Sequence, residues 1–187
     1  AEGEFRRRIE LLESQVGADS WELAVELDRL ANSLERQKNF ADAMPIQQRA
    51  LQLRETRFRG APHDDILNNI FRLADNRQEA KDLPGAKEWF DTLDQKMVQR
   101  FGVDSPQRRN VTERRRDVAR ELQDAATVTA CEATLKRLGE VEAWSTNLPA
   151  VRADMSAEQL EALDQPLAKS EAEAAAFGAE SLPVFTI

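Results

Sequence analysis

Residues 39–63 read Asn-Phe-Ala-Asp-Ala-Met-Pro-Ile-Gln-Gln-Arg-Ala-Leu-Gln-Leu-Arg-Glu-Thr-Arg-Phe-Arg-Gly-Ala-Pro-His, one helix followed by a turn. Ala43, Ala50, Leu51 and Leu53 fall on one face at helical spacings, and Arg59-Gly60-Ala61-Pro62 stops the helix. The same pattern recurs downstream. Leu83-Pro84-Gly85-Ala86 opens a second such helix, Trp89, Phe90 and Leu93 mark its apolar face, and Phe101-Gly102-Val103-Asp104-Ser105-Pro106 ends it. Upstream, the run ending Gln15-Val16-Gly17 is the tail of a third copy. Gly17, Gly60 and Gly102 lie 43 and 42 residues apart, and the pairs Ala31/Ala74 and Ala43/Ala86 are each 43 apart. A fixed period of this length means stacked helical repeats, a job of holding another chain.

Working outward, Phe5, Ile9, Leu12 and Val16 form one helical face over residues 4–16, half a repeat closed by Gly17. Asp19 with Glu22 suits a capping box for a helix reaching Gln37, with Leu23, Leu27, Leu30, Ala31 and Leu34 inward. Asn39 or Asp42 caps the next helix, and Pro45 either occupies its first turn or bends it. Asp64 or Asp65 starts a fourth helix with Ile66 or Leu67, Ile70, Leu73 and Ala74 inward, Asp82 starts a fifth, and Ser105-Pro106 starts a sixth. Thinner stripes follow, Val111, Val118, Ala119 and Leu122, then Val128, Cys131, Leu135 and Leu138, with a turn expected between residues 124 and 127. Residues 139–154, with Trp144, read as a loop, Ser156 to about Phe177 as a last helix kinked near Pro166, and residues 181–187 as an apolar extended tail. The divisions expected are a half repeat at 4–18, repeats at 19–62 and 63–105, a degenerate repeat or capping pair at 106–143, and linker, helix and tail at 144–187.

Across 4–106 these residues resemble tetratricopeptide repeats, in the longer form of about 42 residues found in kinesin light chains and many bacterial proteins. The matching residues are Leu30-Ala31, Ala43, Pro45, Arg49-Ala50-Leu51 and Gly60 with Pro62, then Leu73-Ala74, Ala86, Phe90 and Gly102 with Pro106. Small residues suit positions where antiparallel helices cross closely. The chain departs from the pattern in lacking tyrosine, in Gln47 where a large apolar residue is usual, and in Arg115-Arg116 where a third Leu-Ala step is due. The resemblance implies an all-α, right-handed solenoid whose concave face, lined by the first helix of each pair, holds a peptide segment or partner protein. Carried over by register, the groove positions are Val25, Asp28, Asn32, Glu35 and Arg36 in one repeat and Asn68, Phe71, Asp75, Gln78 and Glu79 in the next.

Composition is that of a soluble helical protein. The chain has 187 residues, 32% charged and 41% hydrophobic, with a net charge of -8 that opposes general affinity for nucleic acid or an anionic membrane. No apolar run approaches the roughly 18 residues of a transmembrane helix. The lone Cys131 offers no intramolecular disulfide, so a cytoplasmic location is expected. Chemistry is sparse. The one histidine, His63, reads as a turn residue, no metal spacing, phosphate loop or nucleophile elbow is present, and neither an active site nor a cofactor is expected. Arg108, Arg109, Arg114, Arg115, Arg116 and Arg120 form a basic stripe that either grips an acidic peptide or phosphate or pairs with neighbouring helices. The tail from Leu182 to Ile187 is expected to lie against the array or to drive self-association. Two other functions remain: a regulatory or oligomerisation segment of a larger signalling protein or enzyme, and phosphate or nucleic-acid binding through the stripe.

Overall fold

The computed structural model describes residues 2–146, and the expected last helix and apolar tail lie outside them. The described residues are all-α: α1 Glu2–Val16, α2 Leu23–Arg36, α3 Phe40–Phe58, α4 Asp64–Glu79, α5 Leu83–Phe101, α6 Arg109–Glu121 and α7 Ala125–Thr146, with a 3-10 turn at Pro106–Arg108. Each α-helix packs against the next in the chain. The pairs α2/α3, α4/α5 and α6/α7 are therefore successive hairpins, with α1 a lone helix in front.

The turn inside each hairpin is built three times over. Lys38, Lys81 and Gln123 adopt left-handed φ values of 58°, 64° and 59°. The residue after each, Asn39, Asp82 and Asp124, caps the following helix by accepting from the backbone N–H three residues on, of Asp42, Gly85 and Thr127. Backbone bonds close the same turns, from Asn39 to Leu34, Asp82 to Arg77 and Asp124 to Ala119. The turns between hairpins use glycine instead, with Gly17, Gly60 and Gly102 at φ of 89°, 73° and 87°. Only glycine takes such φ without steric cost, so the periodic glycine has a backbone reason.

Burial follows the sequence stripes. Ala31, Ala43, Ala74 and Ala86 are fully buried where paired helices cross, and Leu23, Leu27, Leu30 and Leu34 of α2 and Ile66, Leu67, Ile70 and Leu73 of α4 all face inward. The apolar core falls into two clusters, one from α1, α2 and α3, the other from Leu51 together with α4, α5 and α6. Phe90 anchors the second, with Val111 and Val118 of α6 beside it and Trp89 partly buried against it.

Several local expectations change. Gly139 does not begin a loop, because α7 runs through it to Thr146; Leu138 and Val141 on either side are buried, which outweighs the roughly 1 kcal/mol cost of a helical glycine. Asp19 and Glu22 form no capping box. The first amides of α2 bond instead to the carbonyls of Ser20 and Trp21, and Glu22 takes a hydrogen bond from the Ser20 hydroxyl. Asn39 rather than Asp42 caps α3, and Pro45 stands sixth in that helix, past its first turn. The fourth helix starts at Asp64, one of the two starts expected, and His63 caps it, its Nδ1 accepting from the Asp65 N–H at 3.3 Å while the ring stacks on Phe58. Ser105 and Pro106 open a 3-10 turn before α6, closed by the Arg108 N–H donating to the Ser105 carbonyl, while the Ser105 hydroxyl goes to Gln107 and caps nothing.

Candidate functional site

The expected groove positions on α2 and α4 divide into two kinds. Asp28, Asn32 and Glu35 on α2 are engaged by α4 and by the second helix of their own pair. Arg72 of α4 donates to Asn32 and to Glu35, the latter at 2.8 Å, and sits 3.7 Å from Asp28. Asn76 donates to Glu35 and to Gln47 at 2.8 Å each, and Gln47 donates to Glu35 in turn. Arg54 bridges Asp28 and Asn69, and Asn69 donates to the Gln47 carbonyl. One repeat on, Arg114 of α6 donates to Asp75 of α4. These acids therefore join successive first helices and are not available as they stand to a ligand.

The remaining groove positions are open. Val25 is 48% exposed, Arg36 and Glu79 are exposed without a partner, and Gln78 is half-buried with an unpartnered oxygen. Asn68 is exposed and makes no side-chain hydrogen bond, and Phe71 is half-buried, its ring 6.0 Å from Phe90 in an edge-on contact.

Asn68 and Phe71 line a cleft of about 260 Å³ between α4, α5 and α6. Leu67, Leu93, Met97, Phe101 and Val111 supply its apolar floor, and Gln107 and Asn110 complete its polar rim with Asp64, which is paired to Arg100 at 3.0 Å. Asn110 follows Asn68 by 42 residues and holds the same place on α6 that Asn68 holds on α4. The repeat register carried one step further along the sequence, from Asn68, reaches Asn110. Asn32 and Arg36 line a different cleft, with Phe5, Arg29 and Ser33.

The arginine stripe is occupied from within. Arg108 is buried and grips Asp94 with two bonds of 2.9 and 3.0 Å. Arg109 reaches Glu142, Arg115 reaches Asp91 and Asp94, Arg116 its neighbour Asp117, and Arg120 Glu132. Each guanidinium of the stripe, Arg114 included, thus has a carboxylate at hand, and a phosphate ligand would have to displace it.

Cys131 is buried in the third hairpin, where burial pushes its thiol up and the nearby Arg115 partly opposes the shift. A protonated, enclosed thiol is a poor nucleophile. Trp21 is 43% exposed with the Arg57 guanidinium 4.7 Å from its ring centre. No helix among the described residues is long and apolar enough to cross a membrane, and none of their His, Cys, Asp and Glu side chains cluster as a metal site would need. No protein-family model matches the chain, and no curated protein is similar to it, so the repeat likeness rests on the residues and turns described above.

Proposed function

We propose that this chain is a non-catalytic interaction module, a right-handed array of tetratricopeptide-like hairpins that holds an extended segment of another protein across the first helices α4 and α6. The observation that carries this reading is the pair Asn68 and Asn110, one repeat apart on either side of an apolar floor. An asparagine amide offers donor and acceptor together, so it binds a peptide group whatever the side chain. The two amides lie one repeat apart along the cleft, so an extended segment laid across it meets both in turn. An apolar side chain between them would fill the space over Phe71 and Met97. The three equivalent turns and the buried alanines at the crossings support the repeat assignment, and a cytoplasmic setting fits a chain with one buried cysteine.

The test places a photoreactive residue at position 68 in the source cells and identifies what it captures. Asn68→Ala with Asn110→Ala should weaken binding of that captured protein by about 1 to 3 kcal/mol while leaving the melting temperature nearly unchanged. Capture only from an outer position such as 95 on α5, with the double variant binding normally, would remove the reading.

A further inference from the structure

Around the cleft between α4, α5 and α6, the charges left without a partner carry one sign. Every arginine and lysine of these three helices sits in an ion pair, those of the stripe included. On the two first helices, Glu79, Glu113 and Glu121 have no such cation; Glu113 is half-buried and the other two are exposed. Arg109, one turn before Glu113, feels its charge but gives its guanidinium to Glu142.

These three acids are not scattered. Glu113 comes three residues after Asn110 and 42 after Phe71, so it continues the cleft's row by one turn of α6. Glu79 and Glu121, also 42 residues apart, follow on the same faces of α4 and α6, in steps of four from Phe71 through Asp75 and from Glu113 through Asp117. The cleft itself has no lysine or arginine in its lining, and its one carboxylate, Asp64, is held by Arg100.

Building on the reading that this cleft holds an extended segment of another protein, we propose that the segment is basic. It places an apolar side chain over Phe71 and Met97 and a flanking lysine or arginine against Glu113. A cation brings its own donors to a half-buried carboxylate, a charge-assisted bond that a neutral side chain cannot match. Phe71 suits the same charge, since an aromatic ring attracts a cation. An acidic segment would meet Glu113, and beyond it Glu79 and Glu121, with every nearby guanidinium already taken, so like-charge repulsion selects against it.

Two synthetic peptides probe the charge preference, acetyl-Ala-Lys-Leu-Thr-Lys-Ala-amide and its counterpart with glutamate at both lysine positions. Titrated into the full chain at low salt and followed by NMR, the lysine peptide should bind saturably and move the side-chain amides of Asn68 and Asn110. The glutamate peptide should bind about tenfold more weakly or not at all. Glu113→Gln loses no ion pair, so it should fold normally and weaken the lysine peptide about fivefold, the scale of one exposed pair. Glu88→Gln removes an equally unpaired glutamate from α5, outside the cleft lining, and should leave the affinity unchanged. Raised salt should weaken the lysine peptide as well. A glutamate peptide that moves Asn68 and Asn110 as readily would overturn the basic assignment and leave the cleft a holder of segments. Neither peptide moving them, while position 68 still captures a protein in cells, would overturn the assignment alone; loss of that capture too would remove both. Equal weakening by Glu88→Gln and Glu113→Gln would reduce the effect to net charge and overturn it. So would crosslinks from a photoreactive residue at position 110 of the isolated chain to itself or to a second copy, since the cleft would then be taken.

Discussion

Gln47 is fully buried, and its amide is bonded on both sides, to Glu35 and from Asn76, while its carbonyl accepts from Asn69. A buried amide with all its partners is nearly neutral for stability, whereas removing it strands the others. Gln47→Ala should therefore cost about 2 to 4 kcal/mol in guanidinium unfolding, from a cavity plus the stranded Glu35 and Asn76 groups. Asp82 makes a different prediction at the same scale. The hydrogen bond from Arg77, followed by that from the Gly85 N–H, holds its carboxyl below the usual carboxylate range. A depressed folded pKa contributes stability above the unfolded value of about 3.9, and that contribution is lost as pH falls through the folded value. Asp82→Asn keeps a capping oxygen and removes the charge, so melting temperatures recorded between pH 6 and pH 2 should fall less steeply than for the parent.

At the scale of elements, the three hairpin turns share a strain that their sequences do not relieve. Lys38, Lys81 and Gln123 carry side chains where the left-handed backbone favours glycine. Replacing each by glycine should raise stability by roughly 0.5 to 1 kcal/mol, after the entropy that glycine returns to the unfolded chain. The turns are far apart, so the triple variant should show nearly the sum in denaturant midpoints. The helices themselves were legible in the sequence because a period of 43 and 42 residues carried both the buried alanines and the closing glycines. Gly139 misled for the converse reason: a glycine inside a helix looks like a stop until the burial of Leu138 and Val141 is known. The cleft was half legible. Register found Asn68 and Phe71, but no sequence rule says that Asp28, Glu35 and Asp75 are bonded to arginines and amides of neighbouring helices, since those partners lie 12 to 41 residues away.

For the molecule as a whole, the two apolar clusters divide at α3, where the polar group of Glu35, Gln47, Asn69, Arg72 and Asn76 lies beside the Leu51 contact with α4. Repeats gain stability chiefly from nearest-neighbour interfaces. An interface of hydrogen bonds loses less when opened to water than one of packed phenylalanine and valine. Native-state hydrogen exchange should thus resolve two cooperative units, with α2–α3 opening at a lower free energy than α4–α5, and Gln47→Ala should accelerate the first unit selectively. A single opening free energy across both would show the polar group to be no boundary.

The two junctions between hairpins are also matched in kind. At the first, Gln47 meets Asn69 and Asn76; at the second, the residues in the same register are Phe90, Val111 and Val118, packed as part of one apolar cluster. Exchanging or duplicating a hairpin would set the Phe90 ring against Asn76, or Gln47 against Val118, and leave amides buried with nothing to bond. The order of the hairpins is for that reason encoded at their borders. A lineage that lengthened this array by copying one unit would need paired substitutions at both ends of the insert before it folded as well as its parent.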